Sequence, residues 1–243
     1  MAVSCSVVGS EVTRPVAPQA RVRLVARAPA GGDMTLVTIE PSPDLVAKYT
    51  RPGQVLVVRE PEEAYFALAA PPGAPLWALL VRDAGTTAKH LISAPLGASI
   101  PAHVPDFAGF SRSVGEPGAV LLVAVGSALG AVRGVYLALS EAGRASDVTL
   151  VLGVRTPSLV PLEGELASLV REGARVVVCL SDEPAAPLPP FEVRDGLVQA
   201  AVDAELTARP GHHAAVLVAG PKAMMDDFRS REEAFGVPVL ANA

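Results

Sequence analysis

Cysteine is nearly absent: 243 residues carry only Cys5 and Cys179. Two thiols build neither a four-thiolate iron–sulfur centre nor a disulfide framework. Cys179, inside the apolar run RVVVCL, reads as a small buried core residue. An excess of positive charge is also missing, since 20 Lys and Arg face 25 Asp and Glu for a net charge of −5. That balance argues against a nucleic-acid partner, which favours a basic face. The basic residues are scattered rather than clustered, which speaks against docking on an anionic membrane surface. No apolar stretch reaches the roughly 20 residues that a membrane span needs. The opening MAVSCSVVGSEVTRPVAPQA has no basic n-region and no long apolar h-region, so no secretory signal is expected. The four histidines lack metal-site spacing, and His212-His213 reads as a surface loop pair. We expect a soluble protein of a reducing cytoplasm.

What the sequence does contain falls into two halves with different grammar. Residues 1–20 carry two prolines and little periodicity, and read as a loose N-terminal arm. Across residues 21–112 the chain is cut into short segments such as RVRLVARAP, DMTLVTIEP, GQVLVVREP, AYFALAAPP and LWALLVRDA. HLISAPLGASIPAHVP continues the series. Short strands bounded by turn residues predict an antiparallel barrel or sandwich, with polar alternation where one face is wet. Residues 113–118 read as a linker. From 119 to 243 come four near-continuous apolar runs, AVLLVAV (119–125), DVTLVLG (147–153), ARVVVCL (174–180) and AAVLVAG (214–220). Strands buried on both faces look like this, and helices cover such a parallel sheet. The segments 131–142 and 159–172, closed by Gly143 and Gly173, supply two of the helices. Asp195 is placed to cap GLVQAAVDAEL, and Pro221 to open KAMMDDFRSREEAF. The expected second domain is a doubly wound α/β sheet.

Ligands bind beyond the carboxyl ends of the strands in an open α/β sheet, near helix N-termini. Three stretches fall on that edge. Gly126-Ser127-Ala128 follows the first strand and offers backbone N–H groups and a hydroxyl to a phosphate. Arg155, in LGVRTP, is a fixed cation suited to a ribose phosphate. Gly220-Pro221 starts a helix with backbone that can lie close beneath a flat ring.

The order of these features carries a resemblance. From about residue 21 to 243 the chain resembles the ferredoxin–NADP reductase superfamily, a flavin-binding Greek-key barrel followed by a nicotinamide-nucleotide domain. RPGQVLVVR (51–59) looks like the family's Pro-Gly-Gln strand, and AYFALAAPP (64–72) stands where its flavin motif belongs. GTTAKHL (85–91) is similar to the Gly-x-x-Ser/Thr segment that meets flavin phosphates. GSALGAVRG (126–134), LGVR (152–155), DGLVQ (195–199) and AGPKAMM (219–225) complete the series. The resemblance implies FAD, or FMN in its place, held by Tyr65, Phe66, Ala67, Leu68, Gly85, Thr86 and Thr87. It implies NAD(P)H held by Gly126, Ser127, Arg155, Gly220 and Pro221. A reduced nicotinamide then passes a hydride to flavin, which releases electrons to an acceptor, with no conventional acid, base or nucleophile required.

Departures from the family pattern are concentrated at its polar anchors. Where the family has Arg-x-Tyr-Ser/Thr, this chain has Ala64, Phe66 and Ala67, so the phosphate arginine and the ring-facing hydroxyl are gone. Ala128 and Gly130-Ala131 replace the usual residues of the glycine turn, and Ala219 stands where a cysteine is frequent. Arg82, Lys89 and backbone N–H groups are the candidates to replace the lost cation. Ordinary readings stand beside these: Phe66 and Trp77 as barrel core, Thr86 and Thr87 as helix caps, Met224 and Met225 as packing residues. Two functions follow. One is a flavin-dependent NAD(P)H oxidoreductase serving an acceptor. The alternative is a degenerate reductase-like scaffold or nucleotide sensor acting through a protein partner.

Overall fold

A computed structural model describes residues 20–112, 115–184 and 186–242. Cys5, nearly all of the expected N-terminal arm and part of the expected 113–118 linker lie outside the described residues.

The first half forms six antiparallel strands in the order β4-β3-β6-β1-β2-β5. They are β1 (Arg21–Pro29), β2 (Met34–Pro41), β3 (Val55–Val58), β4 (Ala64–Ala67), β5 (Trp77–Arg82) and β6 (Ser99–His103). Strand β1 alternates buried Val22 and Leu24 with exposed Arg21 and Arg23, the pattern of a sheet with one wet face. Two helices interrupt the strands, α1 (Pro43–Val46) and α2 (Thr86–Ser93). Part of the expected sixth segment, HLIS, therefore ends α2, and only its later residues form β6. The sheet curls without a continuous closing ladder. Its two ends meet at the Leu68–Leu79 bridge and the Ala69 N–H to Ala78 carbonyl bond of 2.8 Å. Trp77 packs edge-on against Tyr49, with ring centres 5.1 Å apart, inside this barrel-like core.

The second half is a six-stranded parallel sheet in the order β10-β9-β8-β7-β11-β12. Its strands are β7 (Ala119–Val125), β8 (Val148–Val154), β9 (Arg175–Leu180), β10 (Glu192–Asp195), β11 (His213–Ala219) and β12 (Val239–Ala241). Alternate residues of β7 serve opposite cores: Val120, Leu122 and Ala124 one, Leu121 and Val123 the other. That is why the strand reads as an unbroken apolar run. The first core is covered by α3 (Leu129–Glu141) and α4 (Glu163–Arg171). The second is covered by α5 (Val198–Ala208) and α6 (Lys222–Ser230), with the short α7 (Glu232–Phe235) following. Gly143, Gly173 and Gly236 all take positive φ just beyond helices, as αL caps do.

Two expectations are corrected here. Asp195 does not cap a helix: it ends β10, and α5 begins at Val198 after Leu197 with no side-chain cap. The polar edge strand EVRD gave no apolar signal. His213 is not on a surface loop either. It opens β11, is buried, and turns its Nε2 to within 3.0 Å of the buried Glu205 carboxylate on α5.

Helix α3 joins the two halves. A Cβ at Gly134 would stand 2.6 Å from the Ala70 carbonyl oxygen, and one at Gly130 would stand 3.3 Å from Leu80 Cβ. These glycines let the helix backbone lie directly on the barrel-like sheet. Arg133, between them, donates to the Ala69 carbonyl at 2.6 Å and to both carboxylate oxygens of Glu165 at 2.9 and 2.6 Å. The buried Tyr136 hydroxyl donates to the same carboxylate at 2.5 Å.

Candidate functional site

Two clefts open side by side where the barrel-like sheet faces the carboxyl ends of β7, β8 and β11. The first, about 510 Å³, is walled by the parallel sheet and by the Asp33–Met34 end of the β1–β2 hairpin. Gly126, Arg155 and Pro221 line it, with Arg82 reaching in from the end of β5. Its remaining walls are largely apolar and include Leu197 and Met224. Cys179 belongs to the same wall. Burial pushes its thiol up to about 11, so it offers an apolar surface rather than a thiolate.

The second cleft, about 640 Å³, runs along β4 and the start of α2. Tyr65, Phe66 and Ala67 form one side, Gly85, Thr86 and Thr87 another, and Ser127, Gly220 and Pro221 a third. Arg82, Val125 and Pro221 line both clefts and form their common wall.

Eleven of the twelve residues marked from sequence therefore gather around these two clefts. Leu68 does not: it is fully buried in the barrel core and bridges to Leu79. The strand alternation turns it away from the side that Ala67 presents. Thr87 lines the second cleft, but its hydroxyl is occupied. It donates to the Glu62 carbonyl at 2.6 Å and accepts from the Glu62 N–H at 3.2 Å, tying the 60s loop to α2. Gly85 is the position where backbone is left bare. It has φ +82 and ψ 165, a region open essentially to glycine alone, and a Cβ there would meet nothing within 4 Å. Gly126 differs, since a Cβ there would stand 2.6 Å from Arg82 Nη2. The turn after β7 is thus covered by a guanidinium from the other half of the chain.

Sequence reading did not mark Asp33, Met34, Glu62 or Glu63. They carry no local motif and reach the clefts only through the tertiary fold. Arg82 was marked as a stand-in cation for the second cleft. It instead stands at the junction, with its Nε 3.6 Å from an Asp33 carboxylate oxygen. Tyr65, 57% exposed, donates its hydroxyl to Glu63 at 2.8 Å, and that bond raises its pKa.

The donor set fits a dinucleotide in the first cleft: two arginines, bare backbone turns at strand ends, and apolar walls for flat rings. The second cleft fits a flat aromatic ring between Phe66, Val125 and Pro221. No group of His, Cys, Asp and Glu able to hold a metal ion occurs among the described residues. No helix among them is long and apolar enough to cross a membrane.

Residues 122–230 match the sequence family of the oxidoreductase NAD-binding domain. No curated protein sequence matches the chain. Among solved structures, the Amycolatopsis cytochrome P450 reductase superposes with a TM-score of 0.72 at 21% identity, covering 92% of this chain and 69% of the other. The flavohem-like FAD/NAD-binding domain of a Vibrio cholerae nitric oxide dioxygenase gives 0.73 at 17% identity, covering 92% and 98%. The cytochrome b5 reductase domain of Ulva prolifera nitrate reductase gives 0.70 at 15%, covering 91% and 96%.

Proposed function

We propose that this chain, which carries the two-domain fold of the ferredoxin–NADP reductase superfamily, is an NAD(P)H-dependent flavin oxidoreductase that passes electrons to an acceptor. The observation that carries this reading is the shared wall. Two clefts, one suited to a dinucleotide and one to a flat ring, meet at Arg82, Val125 and Pro221 with no element between them. Flavin, as FAD or FMN, supplies a ring that accepts a hydride from reduced nicotinamide and gives electrons up singly or in pairs.

The chain's own contribution is orientation. Arg155 and Arg82 hold anionic groups of the nicotinamide nucleotide, while Gly220-Pro221 lets a flat ring lie close to backbone. Phe66, Ala67 and Val125 keep water from the meeting point of the two rings. Bringing donor and acceptor into contact is the main catalytic work required, and no side chain has to move a proton in the hydride step. The fold neighbours named for P450, nitric oxide and nitrate chemistry support a protein acceptor as partner. A cytoplasmic setting belongs to the same reading, supported by Cys179 as a free buried thiol.

The test is an anaerobic titration of the purified chain with flavin and then with NADH or NADPH. Loss of the visible flavin absorbance at catalytic protein concentration is the expected result; no acceleration over free solution overturns the reading. Arg155→Ala should raise KM for the nicotinamide nucleotide by about tenfold with kcat little changed, as loss of a charge-assisted contact does.

A second reading draws on Ala64 and Ala67, which leave the second cleft without the family's side-chain anchors. In that reading the chain is a reductase-like scaffold that binds nucleotide and signals through a protein partner. Tight nucleotide binding by calorimetry with no redox turnover would favour it.

A further inference from the structure

Resting on the reading above, we propose that Asp33 and the diphosphate of the nicotinamide nucleotide compete for one guanidinium, that of Arg82. Binding passes Arg82 from the carboxylate to the diphosphate, and release passes it back. Asp33 is thus a positioning residue that lowers affinity in the first cleft and favours departure of the nucleotide.

The two side chains are neighbours by strand pairing. Arg82 ends β5 and stands directly opposite Met34 of β2, while the Asp83 N–H donates to the Asp33 carbonyl at 3.0 Å. The backbones are therefore fixed to each other, but the side chains are held loosely. Arg82 Nε lies 3.6 Å from Asp33 Oδ2, too far for a hydrogen bond, and both side chains are half exposed. Such a pair contributes little and breaks readily. Among the described residues, Asp33 is the only acid lining the first cleft, and Arg82 and Arg155 are its only cations.

The guanidinium also lies where a phosphate is best received. Gly126 follows β7 with φ +55, and a Cβ there would stand 2.6 Å from Arg82 Nη2. The guanidinium thus rests on bare backbone at the turn that leads into α3. Free N–H groups at the head of a helix, with a cation beside them, form an anion site. Nε and Nη2 make up one edge of the guanidinium, the edge that grips a phosphate through two parallel N–H···O bonds. Nε of that edge faces Asp33, and Nη2 faces Gly126. A phosphate gripped there takes the donors that now face the carboxylate, so the two contacts exclude each other.

The first cleft must empty in every turnover of the proposed reaction. A rival carboxylate in its wall weakens the grip and regains its partner as the nucleotide leaves, which hastens a step that limits many enzymes.

Calorimetric titration with ADP-ribose, a diphosphate without the redox ring, through a double-mutant cycle tests this. Both side chains are half exposed, so neither substitution opens a core. Arg82→Met should weaken binding by about tenfold, and Asp33→Asn should tighten it by about threefold to tenfold. The coupling between them decides. Simple repulsion between Asp33 and the diphosphate does not involve Arg82 and leaves the two effects additive. Competition makes Arg82→Met cost about twofold to fivefold more in the Asp33→Asn background than in the parent chain. Additive effects, or a smaller Arg82 cost in that background, overturn the proposal and leave the oxidoreductase reading standing. Absence of binding of ADP-ribose, NADH and NADPH to the parent chain overturns both.

Discussion

Gly134 shows how much one missing side chain decides. A Cβ at that position would stand 2.6 Å from the Ala70 carbonyl oxygen and 3.0 Å from the carbonyl carbon, both backbone atoms that cannot rotate aside. Overpacking of this kind costs about 1–3 kcal/mol, which outweighs the ~1 kcal/mol that alanine gains over glycine inside a helix. Gly134→Ala should therefore lower the melting temperature despite improving helix propensity. Gly164, in α4, is the control. A Cβ there meets nothing within 4 Å, and Gly164→Ala should stabilise by about 0.5 kcal/mol. A melting temperature unchanged or raised by Gly134→Ala would show that α3 is not pressed against the sheet.

Acid sensitivity also traces to single residues. Glu205 is buried between Arg175 and His213. Burial alone would raise its pKa, but hydrogen bonds from His213 and Arg175 outweigh it and hold the carboxyl below the usual range. Burial depresses His213, only partly offset by Glu205, so the ring stays neutral below the ordinary histidine pKa of about 6.5. The signs agree. A depressed histidine loses stability as pH falls from about 6.5, because the unfolded chain takes the proton first. A depressed glutamate loses stability as pH falls further, below the ordinary carboxylate value of about 4.3. Melting temperature should decline in two stages from neutral pH downward. In His213→Asn the first stage should shrink; an unaltered slope between neutrality and pH about 5 would remove His213 as its source.

At the level of elements, α3 is fixed to both its neighbours by one side chain. Arg133 is 9% exposed and spans the Ala69 carbonyl in the barrel-like half and the Glu165 carboxylate on α4. Removing one partner of a mostly buried pair leaves the other without compensation, which costs about 3–5 kcal/mol where burial is complete. Glu165 keeps the Tyr136 hydroxyl and partial contact with water, so Arg133→Met should cost about 2–3 kcal/mol in urea unfolding. Combined with Glu165→Leu, the loss should fall well short of the sum of the two single losses. Strict additivity would mean that the two side chains do not act as a pair.

Elements also divide by how legible they are in the chain. Strand β7 spans 119–125 as read, and β8, β9 and β11 fall within a residue of their apolar runs, because burial on both faces leaves an unbroken signature. Strand β10, Glu192–Asp195, has no such signature, since an edge strand of this composition is defined by its pairing with β9 rather than by its own residues. The clefts divide the same way. Gly126, Arg155 and Pro221 follow strands of the parallel sheet, where topology predicts a ligand edge, whereas Gly85 in the antiparallel half is legible only through the family resemblance. The commitment of Thr87 to Glu62, the turn of Arg82 toward Gly126, and the burial of His213 depend on residues 25, 44 and 8 positions away respectively. No local pattern encodes those partners.

For the molecule as a whole, the decisive feature is that one large buried cluster is shared by the two halves, beside a core that each half keeps to itself. Ala30, Met34, Leu80 and Phe110 come from the first half, yet they belong to the buried cluster built on β7, β8, α3 and α4. Backbone bonds reinforce the join. The Leu162 N–H donates to the Ala30 carbonyl at 2.6 Å, and the Gly109 N–H donates to Asn242 Oδ1 at 2.8 Å. Interfaces between domains of one chain are commonly polar and separable, and relative motion is the default. Here separation would expose an apolar face on each half and strip Arg133 of Ala69, which sets the unfolding of one half against the stability of the other. Calorimetry should show a single endotherm whose calorimetric and van't Hoff enthalpies agree. Two resolved transitions would mean that the shared cluster contributes little, and that the wall common to the two clefts opens and closes with domain motion.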